Sequence, residues 1–218
     1  EAEIDIIRQL GVEIKCGVEV GKDITLDELR KQGYQAFYIA IGCQGSRKAG
    51  IPGEDADGVM SAVDILHKIS ENHELDLNGK KTVVIGGGNV AVDVARSSKR
   101  CGADVIGMYC LESREEMPAS DEEVFETEDE GITINNGWGP KEILTENGKV
   151  KGIVLKKCLC VKDAEGRFNP QYDENDTVTI ECDNVYLSIG QSIVWGDLLK
   201  DEAVELGRGN GPVADSLT

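Results

Sequence analysis

Apolar and polar residues along this chain fall into blocks whose period changes from element to element. Ile4, Ile6, Ile7 and Leu10 end a helical stretch over 4–10, and Gly11 stands where a left-handed cap is usual. Val12 to Val20 reads as strand-like sequence. Thr25 with Glu28 is a capping box for a short helix that Gly33 stops. Ala36 to Ile41 is a near-continuous apolar run, predicted to be a buried strand breaking at Gly42. Glycines and Pro52 between Gly45 and Gly58 mark a loop or linker. Ser61 to Asp64 then starts a helix with Val63, Leu66 and Ile69 on one face.

Asn78-Gly79 is a turn before the next strand, Thr82–Ile85, which runs into Gly86, Gly87 and Gly88. Val90, Val94 and Ser97 continue at helical spacing toward Arg100, and Val105–Tyr109 is a second strand. Ser120 with Glu123 opens a helix of one or two turns before Gly131. Asn147-Gly148 is a hairpin signal between Ile143-Leu144 and a strand over Val150 to Val161. Thr177–Glu181 leads into Val185–Ile189, closed by Gly190. The order is a β-α-β-α-β unit over 82–135, a β-meander and a final buried strand. Tyr38–Gly42 echoes Tyr186–Gly190: either any buried strand ending at glycine looks so, or two related nucleotide-binding units share one turn.

Composition narrows the class only a little. The 218 residues are 40% hydrophobic and 29% charged, ordinary for a soluble globular protein with a real core. No run approaches a membrane span, and no basic segment precedes an apolar one, so a cytoplasmic protein is expected. The formal net charge of −18 disfavours nucleic acid and anionic membranes as partners. Seven cysteines, odd in number and without Cys-x-x-Cys, point to reduced, buried structural thiols and to no metal site. Cys158 and Cys160 are expected on one face of a strand.

The chemistry concentrates at the glycine turn. A strand (Val83-Val84-Ile85), the turn, and a helix from Asn89 to Arg100 form the G-x-G-x-x-G/A pattern of dinucleotide binding. Gly86 permits the tight turn, Gly88 close approach of the backbone to a pyrophosphate, and Ala91 close packing of helix on strand. Gly87 and Val90 complete that turn, and the helix N-terminus offers free N–H groups to phosphate. The predicted fold is therefore α/β, a Rossmann-like dinucleotide-binding domain with a parallel sheet and a β-meander, binding NAD(P)H. Asn89 can reach a phosphate oxygen from the turn. Asp93 and Arg96 are read equally as helix-surface charges or as ligands.

At the end of the second strand, Glu112 suits a ribose 2′-OH and repels a 2′-phosphate, whereas Arg114 could receive one. Residues 112–130 hold ten acids and one base, mostly solvated surface. His67 and His73 read as surface histidines. No nucleophile, paired-carboxylate or zinc pattern appears, so no catalytic side chain is assigned, consistent with hydride transfer.

With those motifs in place the sequence resembles a family. VVIGGGNVAVDVAR (83–96), Glu116–Ala119 (EMPA) and Gly190-Gln191 closing an apolar strand are similar to the small (beta) subunit of glutamate synthase. They also fit its relatives among flavin oxidoreductases with two dinucleotide domains. Ile51–Asp55 (IPGED), Gly58-Val59 and Ala62–Asp64 resemble the linker between the flavin and pyridine-nucleotide domains. The resemblance implies FAD in a longer protein and the middle portion of that protein here. Its glycine fingerprint for FAD, its cysteine-rich iron–sulfur region and its C-terminal Gly-Asp segment are not found. It implies partial flavin-domain segments at 1–50 and 191–218, a linker and helix at 51–78, and the NAD(P) domain at 79–190. Gly190 and Gln191 join the cofactor site on this basis.

NADPH-using members carry Tyr-Arg-Arg where this chain has Cys110-Leu111-Glu112, so the resemblance and the acid together favour NADH. The expected function is an electron-input module passing hydride from NAD(P)H to the parent protein's FAD. Electrons then leave to a large-subunit or iron–sulfur acceptor. By itself the chain is expected to bind nucleotide without turnover and without retaining FAD. The alternatives are a family member serving another acceptor, or a non-catalytic nucleotide-sensing or assembly domain.

Overall fold

The structure, a computed structural model, describes residues 2–71 and 76–215. His73 lies outside them. Two compact units are present, residues 1–43 with 192–218, and residues 44–191.

In the first unit, helix α1 (Ala2–Gln9) ends before Gly11, which takes φ +89°. Helix α2 (Leu26–Lys31) starts on the predicted box: the Glu28 N–H donates to Thr25 Oγ1 at 3.2 Å and the Thr25 N–H to Glu28 Oε2 at 2.9 Å. Arg30 donates twice to the Glu202 carboxylate, at 2.7 Å each. The two expected strands do not form. Residues 12–19 and 36–41 pair with nothing in a sheet, and Val20 makes only an isolated bridge to Ile24. Tyr38 is 96% exposed, and Ile39 and Ile41 are exposed too. A buried parallel strand draws its stability from neighbours on both sides, and none is supplied among the described residues. The echo with 186–190 is therefore one of sequence, since Tyr186 is fully buried.

The second unit is built on strands β1 (Val59–Ser61), β2 (Lys81–Ile85), β3 (Asp104–Cys110) and β4 (Ile134–Asn136), then β5 (Trp138–Glu146), β6 (Lys149–Lys162), β7 (Phe168–Glu181) and β8 (Asn184–Leu187). Helices α3 (Ala62–Glu71), α4 (Asn89–Arg100) and α5 (Asp121–Asp129) lie between them. Strands β1, β8, β2, β3 and β4 form, in that order, one parallel sheet. Strands β5, β6 and β7 form the antiparallel meander. The predicted β-α-β-α-β unit, meander and returning buried strand are all present.

Alternation along the strands explains the layering. Val84, Met108 and Tyr186 face α3, α4 and α5, packing with Ile65, Val92, Val94, Ala95 and Val124. Val83, Ile85, Tyr109, Val185 and Leu187 face the meander, against Ile143, Ile153 and Leu155. Both faces are covered, which is why these strands read as unbroken apolar runs. Each fully buried Val, Leu or Ile contributes about 1.5–3 kcal/mol.

Several local expectations shift. Strand β1 forms at the end of the predicted loop, because pairing with β8 stabilises a segment too short to show a period. The buried face of α3 is Ala62 and Ile65, not Val63, and that of α4 is Ala91, Val92, Val94, Ala95 and Ser98. The α5 helix runs nine residues, capped by Ser120, whose Oγ accepts from the Glu123 N–H at 3.4 Å. Cys158 and Cys160 do not share a face: Cys158 is buried and Cys160 exposed. Cys158 pairs with Tyr172 and Cys160 with Gln171, so β6 advances two residues while β7 advances one, and the bulge turns Cys160 outward. Cys16 and Cys43 are exposed as well, so burial holds for Cys110, Cys158 and Cys182 but not for the whole set. His67 is exposed, 3.3 Å from Glu71.

Candidate functional site

The three glycines stand at the C-terminal edge of β2, and each meets a different environment. Gly86 has φ +145°, and a Cβ there would sit 2.3 Å from the Ser188 carbonyl oxygen. Its own N–H donates to the Tyr109 carbonyl at 2.9 Å, so the turn is pinned between β3 and the end of β8. At Gly87 a Cβ would lie 2.9 Å from Cys110 Cβ and 3.0 Å from Glu112 Oε2. At Gly88 a Cβ would meet no protein atom within 4 Å. Only the first two glycines are required by the protein's own packing; the third leaves open room.

Helix α4 starts directly behind this turn, with Gly88 at the N-cap and no side chain capping it. Among the described residues the N–H groups of Gly87, Gly88, Asn89 and Val90 have no hydrogen-bond partner. Four uncommitted donors at the positive end of a twelve-residue helix make an anion cradle of the kind that holds pyrophosphate. Ala91 is fully buried against the core and brings helix and sheet close.

The cradle opens into a cleft of about 370 Å³. Gly86 to Val90 line its floor, Val63 of α3 one side, and Ser188, Ile189, Gly190 and Gln191 one end. Trp138, Pro140 and Phe168, from the meander, line it too. Among the described residues Glu112 is the one charged residue lining it. Its backbone is tied down: the Glu112 carbonyl accepts from the Gly137 N–H at 3.2 Å and from Asn136 Nδ2 at 3.1 Å. Its carboxylate stands over Gly87, with Oε2 3.0 Å from where a Cβ would lie.

Other predicted residues sit elsewhere or act otherwise. Asn89 Oδ1 accepts from the Ser120 N–H at 2.9 Å, so the amide fastens the loop after β3 rather than reaching out with that oxygen. The Ala119 N–H donates to the Gly87 carbonyl at 3.0 Å, a second fastening of the same loop. Asp93 is exposed and does not line the cleft. Arg114 pairs with Glu128 at 3.0 Å and lies outside the cleft. Arg96 is engaged by Glu123, Glu126 and Glu130 at 3.0, 2.7 and 2.8 Å, joining α4 to α5.

Cys110 also lines the cleft, but burial, and then the Glu112 charge, push its thiol up to about 12. Asn136 Nδ2, donating to its sulfur at 3.3 Å, only partly opposes this. A thiol so raised stays protonated and is no nucleophile. Cys182 is likewise pushed up to about 12 by burial and by Asp183. Among the described residues no cluster of His, Cys, Asp or Glu could hold a metal ion, and no helix is long and apolar enough to cross a membrane.

Sequence reasoning missed Trp138, Pro140 and Phe168. Trp138 carried a signal, a bulky aromatic between Gly137 and Gly139 just past β4; Pro140 and Phe168 carried none.

A parallel sheet, helices on one face, a meander on the other and a glycine cradle at the strand ends define a Rossmann-like dinucleotide-binding protein. The chain belongs to the pyridine nucleotide-disulphide oxidoreductase family, which matches residues 3–218. It is 35% identical over 222 residues to the beta subunit of the NADP(+)-dependent formate dehydrogenase of Moorella thermoacetica, covering 99% of this chain and 31% of that protein. It is 31% identical over 200 residues to the glutamate synthase [NADPH] small chain of Escherichia coli (strain K12), covering 85% and 42% respectively. The fold is similar to that of FprA from Mycobacterium tuberculosis, solved with NADPH, at a TM-score of 0.69 and 22% identity over 87% of this chain and 56% of FprA. The chain thus spans about a third to two fifths of the length of these curated relatives.

Proposed function

We propose that residues 79–190, joined through 51–78 to flavin-domain segments at 1–50 and 191–218, form the pyridine-nucleotide module of a larger flavin oxidoreductase. The observation that carries this reading is the pairing of four free N–H donors on Gly87–Val90 with the Glu112 carboxylate over Gly87. The donors suit a pyrophosphate, and an acid at the end of the second strand suits an unsubstituted ribose 2′-OH. The open room at Gly88 allows the backbone to approach the phosphates closely.

Bound NAD(P)H supplies a hydride, which in this reading goes to the FAD of the parent protein. The chain's own residues bind and orient. The Gly86–Ala91 turn and α4 hold the phosphates, and Glu112 holds the adenosine ribose. Gly190 and Gln191 stand at the end of the cleft toward which the nicotinamide would run. Hydride transfer needs two rings held in register rather than an acid or base, in keeping with a neutral Cys110 and no catalytic side chain. The electrons would leave to a large-subunit or iron–sulfur acceptor, in the cytoplasm.

The named relatives carry NADP or NADPH in their descriptions, and here this chain is read differently: NADH is preferred. A 2′-phosphate beside Glu112 would set like charges a few ångströms apart, costing about 1 kcal/mol even in water and more in a cleft. Titration calorimetry should show NADH binding at least about fivefold more tightly than NADPH. Glu112→Arg should reverse the order. Tighter NADPH binding by the unmutated chain would sink the preference, and affinity for neither nucleotide would sink the nucleotide reading.

A further inference from the structure

The β6–β7 hairpin outruns its third strand. Pairing of β5 with β6 starts at Trp138↔Lys157, whereas β6 and β7 stay paired out to Lys162↔Phe168. Residues 158–172 therefore project as a two-stranded arm. Register shifts fall between Lys156 and Lys157, Cys158 and Cys160, and Cys160 and Lys162. Shifts of this kind bend and twist a ribbon more than regular pairing does.

The arm is rooted beside the ribose acid. A Cβ on Gly139 would lie 2.6 Å from the Tyr172 ring and 2.8 Å from Leu111 Cδ2, so Tyr172 and Leu111 close on that glycine together. Lys156 Nζ caps the Tyr172 ring at 4.2 Å from its centroid. Leu111 immediately precedes Glu112. At the far end of the arm Phe168 is 69% exposed, yet it lines the cleft with Trp138 and Pro140. A single exposed apolar side chain is unremarked on most surfaces. One carried on a bent arm to the wall of a mostly apolar cleft is placed to cover a ligand.

We propose that Phe168, which lines the cleft as Trp138 does, covers the purine ring of the bound dinucleotide and positions that end of the cofactor. The inference rests on the nucleotide reading above. Sheet order selects the purine over the nicotinamide. From the cradle at the end of β2, the ribose acid Glu112 follows β3, and β4, after which Trp138 comes, lies beyond it. The nicotinamide end runs the other way, toward Ser188–Gln191 after β8.

Stacking of a base on an aromatic side chain makes truncation cost at least about fivefold in affinity. The test is calorimetric titration of the 218-residue chain with NADH and with ADP-ribose, which keeps the purine and lacks the nicotinamide. Phe168→Ala should weaken both ligands equally, by at least about fivefold. Phe168→Tyr should restore both. Leu159→Ala, on the opposite strand of the arm and 66% exposed, should alter neither. Circular dichroism and melting of each variant check that the arm still folds. Unchanged ADP-ribose affinity in Phe168→Ala, whether or not NADH weakens, overturns the assignment, as does an equal loss in Leu159→Ala. Failure of the unmutated chain to bind either NADH or ADP-ribose overturns the nucleotide reading itself, a result visible before any variant is made.

Discussion

Gly86 and Gly88 are two residues apart and are glycine for opposite reasons. At Gly86 both the φ of +145° and the Ser188 carbonyl exclude a side chain, so the fold itself requires it. At Gly88 nothing in the protein does, and the room serves whatever the cradle holds. Gly86→Ala should therefore destabilise the chain by on the order of 1–3 kcal/mol or more, read by urea denaturation. Gly88→Ala should cost no more than about 1 kcal/mol, the difference between Gly and Ala at an N-cap, in the same experiment while losing most of its NADH affinity. Equal stability loss in both variants would remove the case for a ligand-facing glycine. At this scale much of the candidate site was legible: Gly86 and Gly87 form the turn after β2, and Glu112, beyond the motif's usual spacing, comes beside them past the end of β3. Asn89 was legible as a residue of the turn but not in its bond to Ser120, which depends on where a loop thirty residues later returns.

At the scale of elements, α4 is held from behind. Arg96 gathers Glu123, Glu126 and Glu130, so α4 is tied to α5. The Glu130 carboxyl is held below its usual range first by the Arg96 hydrogen bond and then by that of Arg100. A carboxyl lowered in the folded state adds stability above the ordinary glutamate range and loses it as pH falls through the folded value. Arg96→Met should lower the melting temperature at neutral pH by a few degrees, and this deficit should shrink as the solution is acidified below that range. A deficit independent of pH would mean that Arg96 acts through packing of its stem alone. Both helices were visible in the sequence from their caps and spacing. Their tie was not, because the acid-rich stretch 112–130 looks the same whether its charges face solvent or one buried-side arginine.

At the scale of the molecule, the field matters as much as the pocket. The chain carries a net charge of −18, and among the described residues Glu112 is the only charge lining the cleft. On the proposed reading a dianionic cofactor would approach against a repulsive potential and be held by backbone N–H groups at short range. Screening shortens to about 10 Å at 0.1 M salt, which removes the long-range repulsion before it weakens the contacts. Raising sodium chloride from about 0.01 to 0.1 M should therefore tighten NADH binding, measured by fluorescence titration. Weaker binding over that range would show that cations outside the cleft carry the affinity. The order of elements in the second unit followed from the sequence. The first unit did not, since Val12–Val20 and Ala36–Ile41 have strand composition but no partner among the described residues.

What the sequence by itself determined is local: caps, turns, the glycine pattern and the alternation that buries both faces of a parallel sheet. These depend on residues within one or two turns of one another, so period and spacing carry them. Family membership belongs there too, because it rests on motifs in a fixed order. Tertiary structure alone decided that Glu112 stands over Gly87, that a bulge separates Cys158 from Cys160, and that Phe168 reaches the cleft. Each of these depends on which strand lies beside which and in what register, and a side chain's face changes with every one-residue slip.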